Sequence, residues 1–107
     1  MCRFIILREG KSCTPVEVFD VVYMVACGAY TNIFLISGTS SKQCGNMSSW
    51  QEKIKTSGLF FRIDRSHLVN YRQILSFHSA GYVLLKDKST RLPLSHEGYI
   101  ILLDFFR

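Results

Sequence analysis

The chain has no long apolar run, few acids and little proline. Nothing in it reaches the roughly 18 apolar residues of a membrane span. The most lipid-like piece, YIILLDFF at 99–106, is too short and reads as core packing. There is no C-x-x-C pair, no G-x-G-x-x-G and no P-loop, which removes the usual redox, zinc and nucleotide signatures. Cysteines stand at 2, 13, 27 and 44, unlike zinc-ligand spacing, and Cys27 lies in an apolar run as a small core residue. The opening MCRFIILREG is broken by Arg8 and Glu9 and does not read as a signal peptide, so a reduced, cytoplasmic protein is expected. Three histidines (67, 78, 96) and eight scattered acids form no catalytic or metal-binding spacing. The expectation is therefore no enzyme activity, no cofactor and no metal. The weak enzymatic rival is a thiol at Cys27 with a histidine base.

What is present is positive charge and β-forming sequence. Thirteen Lys and Arg against eight Asp and Glu leave +5, with a pI near 9.2. That balance suits nucleic acid or an acidic surface, though many soluble domains carry as much without a polyanionic partner. At 107 residues and 48% hydrophobic, the chain suits a single domain, 1–107, with a real core.

The local texture is short strands between polar turns. RFIIL (3–7) reads as a strand, REGKSCTP as a turn closed by Pro15, and VEVFDVVYMVA (16–26) as one strand. CGAYTN breaks the chain before IFLIS (33–37), a hairpin partner. GTSSKQCGN (38–46) reads as a polar loop. One helix stands out over 46–56. Met47, Trp50 and Ile54 form its apolar stripe, Asn46 and the pair Ser48/Gln51 compete to cap its start, and Gly58 suits the left-handed position after its end. LFFRI, HLVNY, QILSF, YVLL and TRLPL follow as strands. The last stretch, SHEGYIILLDFFR, fits a short helix or a strand.

The segment FFRIDRSHLVNYRQI (60–74) carries a family signature. It resembles the core motif of LytTR DNA-binding domains of bacterial response regulators, matching at Phe61, Arg62, Ile63, Arg65, Ser66, Leu68, Val69, Asn70 and Ile74. Asp64 departs from it, standing where that family usually has histidine. DVVYMVACGAYTNIFLISG (20–38), the helix and RLPLSHEGYIILL (91–103) extend the resemblance over nearly the whole chain.

The resemblance implies a mainly β fold: an elongated arrangement of small antiparallel sheets with one short helix. It implies a bacterial transcription regulator that reads duplex DNA with inter-strand loops in successive major grooves. Paired direct repeats are the implied target, bound by a homodimer on DNA or by monomers side by side. Family members usually follow a receiver domain or a membrane segment; the sequence shows neither, so the domain is expected to be stand-alone. The residues carried over by position are Tyr30, Arg62, Asp64, Arg65, Ser66, Lys86, Ser95 and His96. Arg65 aligns with a base-reading position and suits guanine. Arg62, Ser66 and Lys86 align with phosphate contacts. His96 stands where relatives often have a base-contacting arginine, making a weaker contact sensitive to pH near neutrality. Plainer alternatives stand beside these roles: Tyr30 as hairpin packing, Arg62 as an ion-pair partner, Ser66 and Asn70 as turn holders. Asp64 is either a cytosine-selecting residue or the mark of a domain that has left DNA. In the second case the chain is a protein-binding module that pairs with another regulator protein and antagonises it.

Overall fold

The computed structural model describes residues 3–107, so Cys2 lies outside the described residues. Phe4–Glu9 (β1) and Ser12–Glu17 (β2) pair as an antiparallel ribbon, with Ile6 opposite Pro15. The turn is two residues long, not the eight expected, and Pro15 lies inside β2. A two-stranded ribbon consists only of edges, where sheets accept proline.

The run expected as one strand over 16–26 is split. Val18–Asp20 forms a tight 3-10 turn, and β3 begins only at Val21, running to Cys27. Buried Asn70 explains the break: its Nδ2 donates to the carbonyls of Phe19 (3.3 Å) and Val21 (3.0 Å). β3 and Tyr30–Leu35 (β4) then form a hairpin. Ser40–Cys44 (β5) pairs with β4 inside the stretch expected to be a loop. It was hidden because its buried side is polar. Ser41 and Gln43 face inward, and Gln43 pairs like a strand residue: Oε1 accepts from the Arg8 N–H at 2.9 Å and Nε2 donates to the Arg8 carbonyl at 3.2 Å. That amide ties the β1–β2 ribbon to the main sheet without a backbone ladder.

Phe60–Asp64 (β6) and His67–Asn70 (β7) complete a five-stranded antiparallel sheet, ordered β5-β4-β3-β7-β6. Ile74–His78 (β8), Tyr82–Leu85 (β9) and Arg91–Pro93 (β10) make a second sheet, ordered β10-β9-β8. Helix α1, Met47–Ile54, starts at Asn46, whose Oδ1 accepts from the Ser49 N–H at 2.9 Å; Gly58 follows with φ +69. The undecided C-terminal stretch is a second helix, α2, His96–Phe106.

Each face of the five-stranded sheet carries a core. Met24, Ile33 and Leu68 pack with Ile5 and Leu7 of the ribbon and with Met47, Trp50 and Ile54 of α1. Ile63 and Val69 pack on the opposite side with Val83, Leu85, Leu92 and Leu102. The result is mainly β and elongated, 43 × 27 × 25 Å, built of small antiparallel sheets as expected.

Candidate nucleic-acid interface

Strand direction brings three loops to one end of the molecule. β3 ends at Cys27, so the Gly28–Ala29 turn lies at that end of the large sheet. β7 runs antiparallel to β3, so the Arg65–Ser66 turn lies there too, and the Ala26 N–H donates to the Ser66 carbonyl at 2.8 Å. The third loop is pinned to β6. Ser95 donates from its backbone N–H (2.8 Å) and from Oγ (3.1 Å) to the Ile63 carbonyl. The same Oγ accepts from the Gly98 N–H at 2.9 Å, capping α2. Gly98 is the contact point between helix and strand: a Cβ there would lie 2.4 Å from the Ile63 carbonyl oxygen.

The sequence-derived residues divide by what their side chains already hold. Asp64 turns inward. Its Oδ1 accepts from the Ser66 N–H and meets His67 Nδ1, both at 2.8 Å, and the two side chains are only 22% and 17% exposed. This is an aspartate closing its own turn through a bond two residues ahead. Arg62 is also engaged, but not with an acid. Nη1 donates to Gln51 Oε1 of α1 and Nη2 to the Arg65 carbonyl, both at 2.8 Å, while the buried Nε has no partner. Arg62 therefore braces the turn that carries Arg65.

The Arg65 side chain, by contrast, is exposed and has no hydrogen bond or ion pair among the described residues. With Arg62, Asp64, Ser95 and Glu97 it lines a cleft of about 320 Å³ between the β6–β7 turn and α2. Ser66, half-buried, is held in the turn through its backbone bonds to Asp64 Oδ1 and the Ala26 N–H. His96 points around the corner from that cleft, into a hollow of about 390 Å³ shared with His78, Ser79 and Tyr99. Tyr30 lies in strand β4 rather than in the turn. It is 46% exposed, and Lys42 Nζ sits 5.1 Å from its ring centre. Sequence reasoning passed over Lys42 because β5 read as a loop.

Lys86 stands apart from these. It lines a hollow with Tyr23, Phe34, Gly38 and Asp87, next to the start of β3 and the end of β4. That is the opposite end of the large sheet from the three loops. There the Thr90 hydroxyl, then the Thr90 and Ser89 N–H groups, hold the Asp87 carboxyl below its ordinary pKa. Burial, then the Asp87 charge, raises the Tyr23 hydroxyl above its own.

Asn70 holds a turn, with Oδ1 accepting from the Arg72 N–H at 3.0 Å. Cys27, expected in the core, is exposed at the end of β3 beside the hairpin turn. The apolar run that suggested burial stops one residue earlier. Among the described residues no helix is long and apolar enough to cross a membrane.

Three comparisons bear on this arrangement. A family model described as the LytTr DNA-binding domain matches residues 11–102. No curated protein sequence matches the chain. Among solved structures, the chain is similar to the LytTr DNA-binding domain of a protein from Bacillus cereus described as a methyl-accepting/DNA response regulator. The TM-score is 0.79 at 17% identity, covering 97% of this chain and 96% of that one.

Proposed function

The chain belongs to the LytTr DNA-binding domain family, and from that premise we propose that it regulates transcription by reading duplex DNA with the loops around Ala29, Arg65 and His96. The observation that carries this reading is the division of labour in the cleft. Arg62, Asp64 and Ser95 are engaged in holding the loops, and Arg65 is left free on a braced turn. A rigidly mounted, unpaired guanidinium suits guanine, whose O6 and N7 accept its two parallel donors in the major groove. His96 reads a second position. Ser66, Tyr30 with Lys42, and Lys86 contact phosphates and set the register. Arg62 acts as a positioning residue for Arg65. Paired direct repeats are the proposed target. The family is one of DNA-binding domains and not of enzymes, and the proposal includes no catalytic step.

The test is a binding selection from a random duplex pool at about 100 mM salt, where non-specific attraction is already weakened. Enrichment of a short motif containing guanine is the expected result. A folded protein that enriches nothing overturns the reading. A second reading is then next: a module that binds another regulator of the same family. The exposure of Ile100 (50%), Leu103 (43%) and Phe106 (46%) on α2 favours it, and size-exclusion chromatography with such regulators tests it.

A further inference from the structure

The cleft beside Arg65 holds a second unpaired charge. Glu97, in the first turn of α2, is exposed and has no hydrogen bond or ion pair among the described residues. The other acid of the cleft, Asp64, has its Oδ1 taken by Ser66 and His67. Glu97, exposed and with neither oxygen engaged, is thus the more available carboxylate of the cleft, beside an Asp64 side chain that is 22% exposed and bonded within its own turn. Its backbone is fixed relative to Arg65, because α2 is fastened to β6 at Ser95 and at Gly98.

Against phosphates a carboxylate only repels. Against base edges it discriminates. In the major groove cytosine offers the N4 amino donor. Guanine offers two acceptors, and thymine an acceptor and a methyl group. Adenine places its N7 acceptor beside its amino donor, which works against a carboxylate. A free glutamate beside a free arginine therefore matches a cytosine next to a guanine. We infer that Glu97 is a specificity-determining residue that selects cytosine at a position neighbouring the guanine read by Arg65. This rests on the DNA-reading function proposed above and deepens it. A purely structural role also exists for a first-turn acid, through the helix dipole, but that role carries no base preference.

The test compares selections from the same random duplex pool by the wild-type chain, Glu97→Gln and Arg65→Ala, with thermal unfolding of each. The wild type is expected to enrich a cytosine neighbouring a guanine. Glu97→Gln keeps the side-chain length but gives it a donor and an acceptor, the pair that suits adenine N7 and N6. Its motif is expected to change from cytosine to adenine at that position, with about tenfold discrimination, and to keep the guanine. Arg65→Ala is expected to lose the guanine and keep the cytosine. If Glu97→Gln keeps the wild-type motif and merely binds every duplex more tightly, Glu97 is a repulsive charge and the inference fails. A wild-type motif without that cytosine also overturns it. A wild type that enriches no motif overturns the DNA reading instead, and the inference with it.

Discussion

At the scale of single residues, the central distinction is between side chains left free and side chains that hold others in place. Arg65 and Asp64 are neighbours, yet one is free and the other closed upon its own turn. The reading of Asp64 as a cytosine selector or as a departure from DNA missed that outcome, although the sequence DRS permits it, because aspartate bonds readily to the backbone N–H two residues on. The sequence did not contain the fate of Arg62, whose acceptor, Gln51, sits in a helix eleven positions away. Asn70 was legible as a turn holder because its bond to the Arg72 N–H is local. These positions lead to a first prediction. Arg65→Ala removes an exposed side chain with no internal bond, so its unfolding midpoint should stay at the wild-type value. On a specific site it should lose about 1–3 kcal/mol of binding and relax base preference at one position. Titration against a panel of single-base variants checks this. An equal loss on every duplex would make Arg65 a phosphate contact.

At the scale of elements, legibility followed chemistry. Strands rich in Val, Ile, Phe and Tyr, such as β3, β4, β8 and β9, were readable because such side chains suit a pleated, half-buried surface. β5 was not, because Ser41 and Gln43 bury polar groups, which bond to each other and, through Gln43, to the Arg8 backbone far away in sequence. α2 was ambiguous because its isoleucines and phenylalanines favour strands while Ser95 favours a helix start. The cap and the buried stripe of Gly98 and Leu102 decided in favour of the helix. Gly98 was not singled out at all. Its role is a close approach across 35 residues, invisible without the fold. Gly98→Ala should force α2 away from β6, since the Cβ would meet a backbone carbonyl rather than a movable side chain. Overpacking of this kind costs about 1–3 kcal/mol of stability. It should also displace Ser95, His96 and Glu97 together. Below the variant's unfolding temperature, specific DNA affinity should therefore fall further than for Arg65→Ala. Equal affinity for wild type and variant would mean that the third loop does not touch DNA.

At the scale of the whole molecule, length sets what the domain can cover. Its 43 Å long axis exceeds one turn of duplex, about 34 Å. A copy lying lengthwise can therefore meet two successive grooves on one side of the DNA. The loop cluster and Lys86 lie at opposite ends of the large sheet, separated by the length of β3, roughly 20 Å at about 3.3 Å per residue. The proposed role of a cation so far from the reading cleft is to contact phosphates, where charge counts and base identity does not. On the proposed function, the net charge of +5 should make DNA binding salt-sensitive. With about five phosphates neutralised, log affinity should fall against log salt with a slope of roughly −4 to −5. Lys86→Ala should move that slope toward zero by about one while leaving every base preference intact. Titrations of both proteins between about 50 and 200 mM salt, on one specific and one scrambled duplex, measure both effects. A slope that does not change places Lys86 off the DNA and confines the interface to the loop end. A loss on the specific duplex alone makes Lys86 a reader of sequence, and the two ends of the molecule would then share recognition rather than divide it.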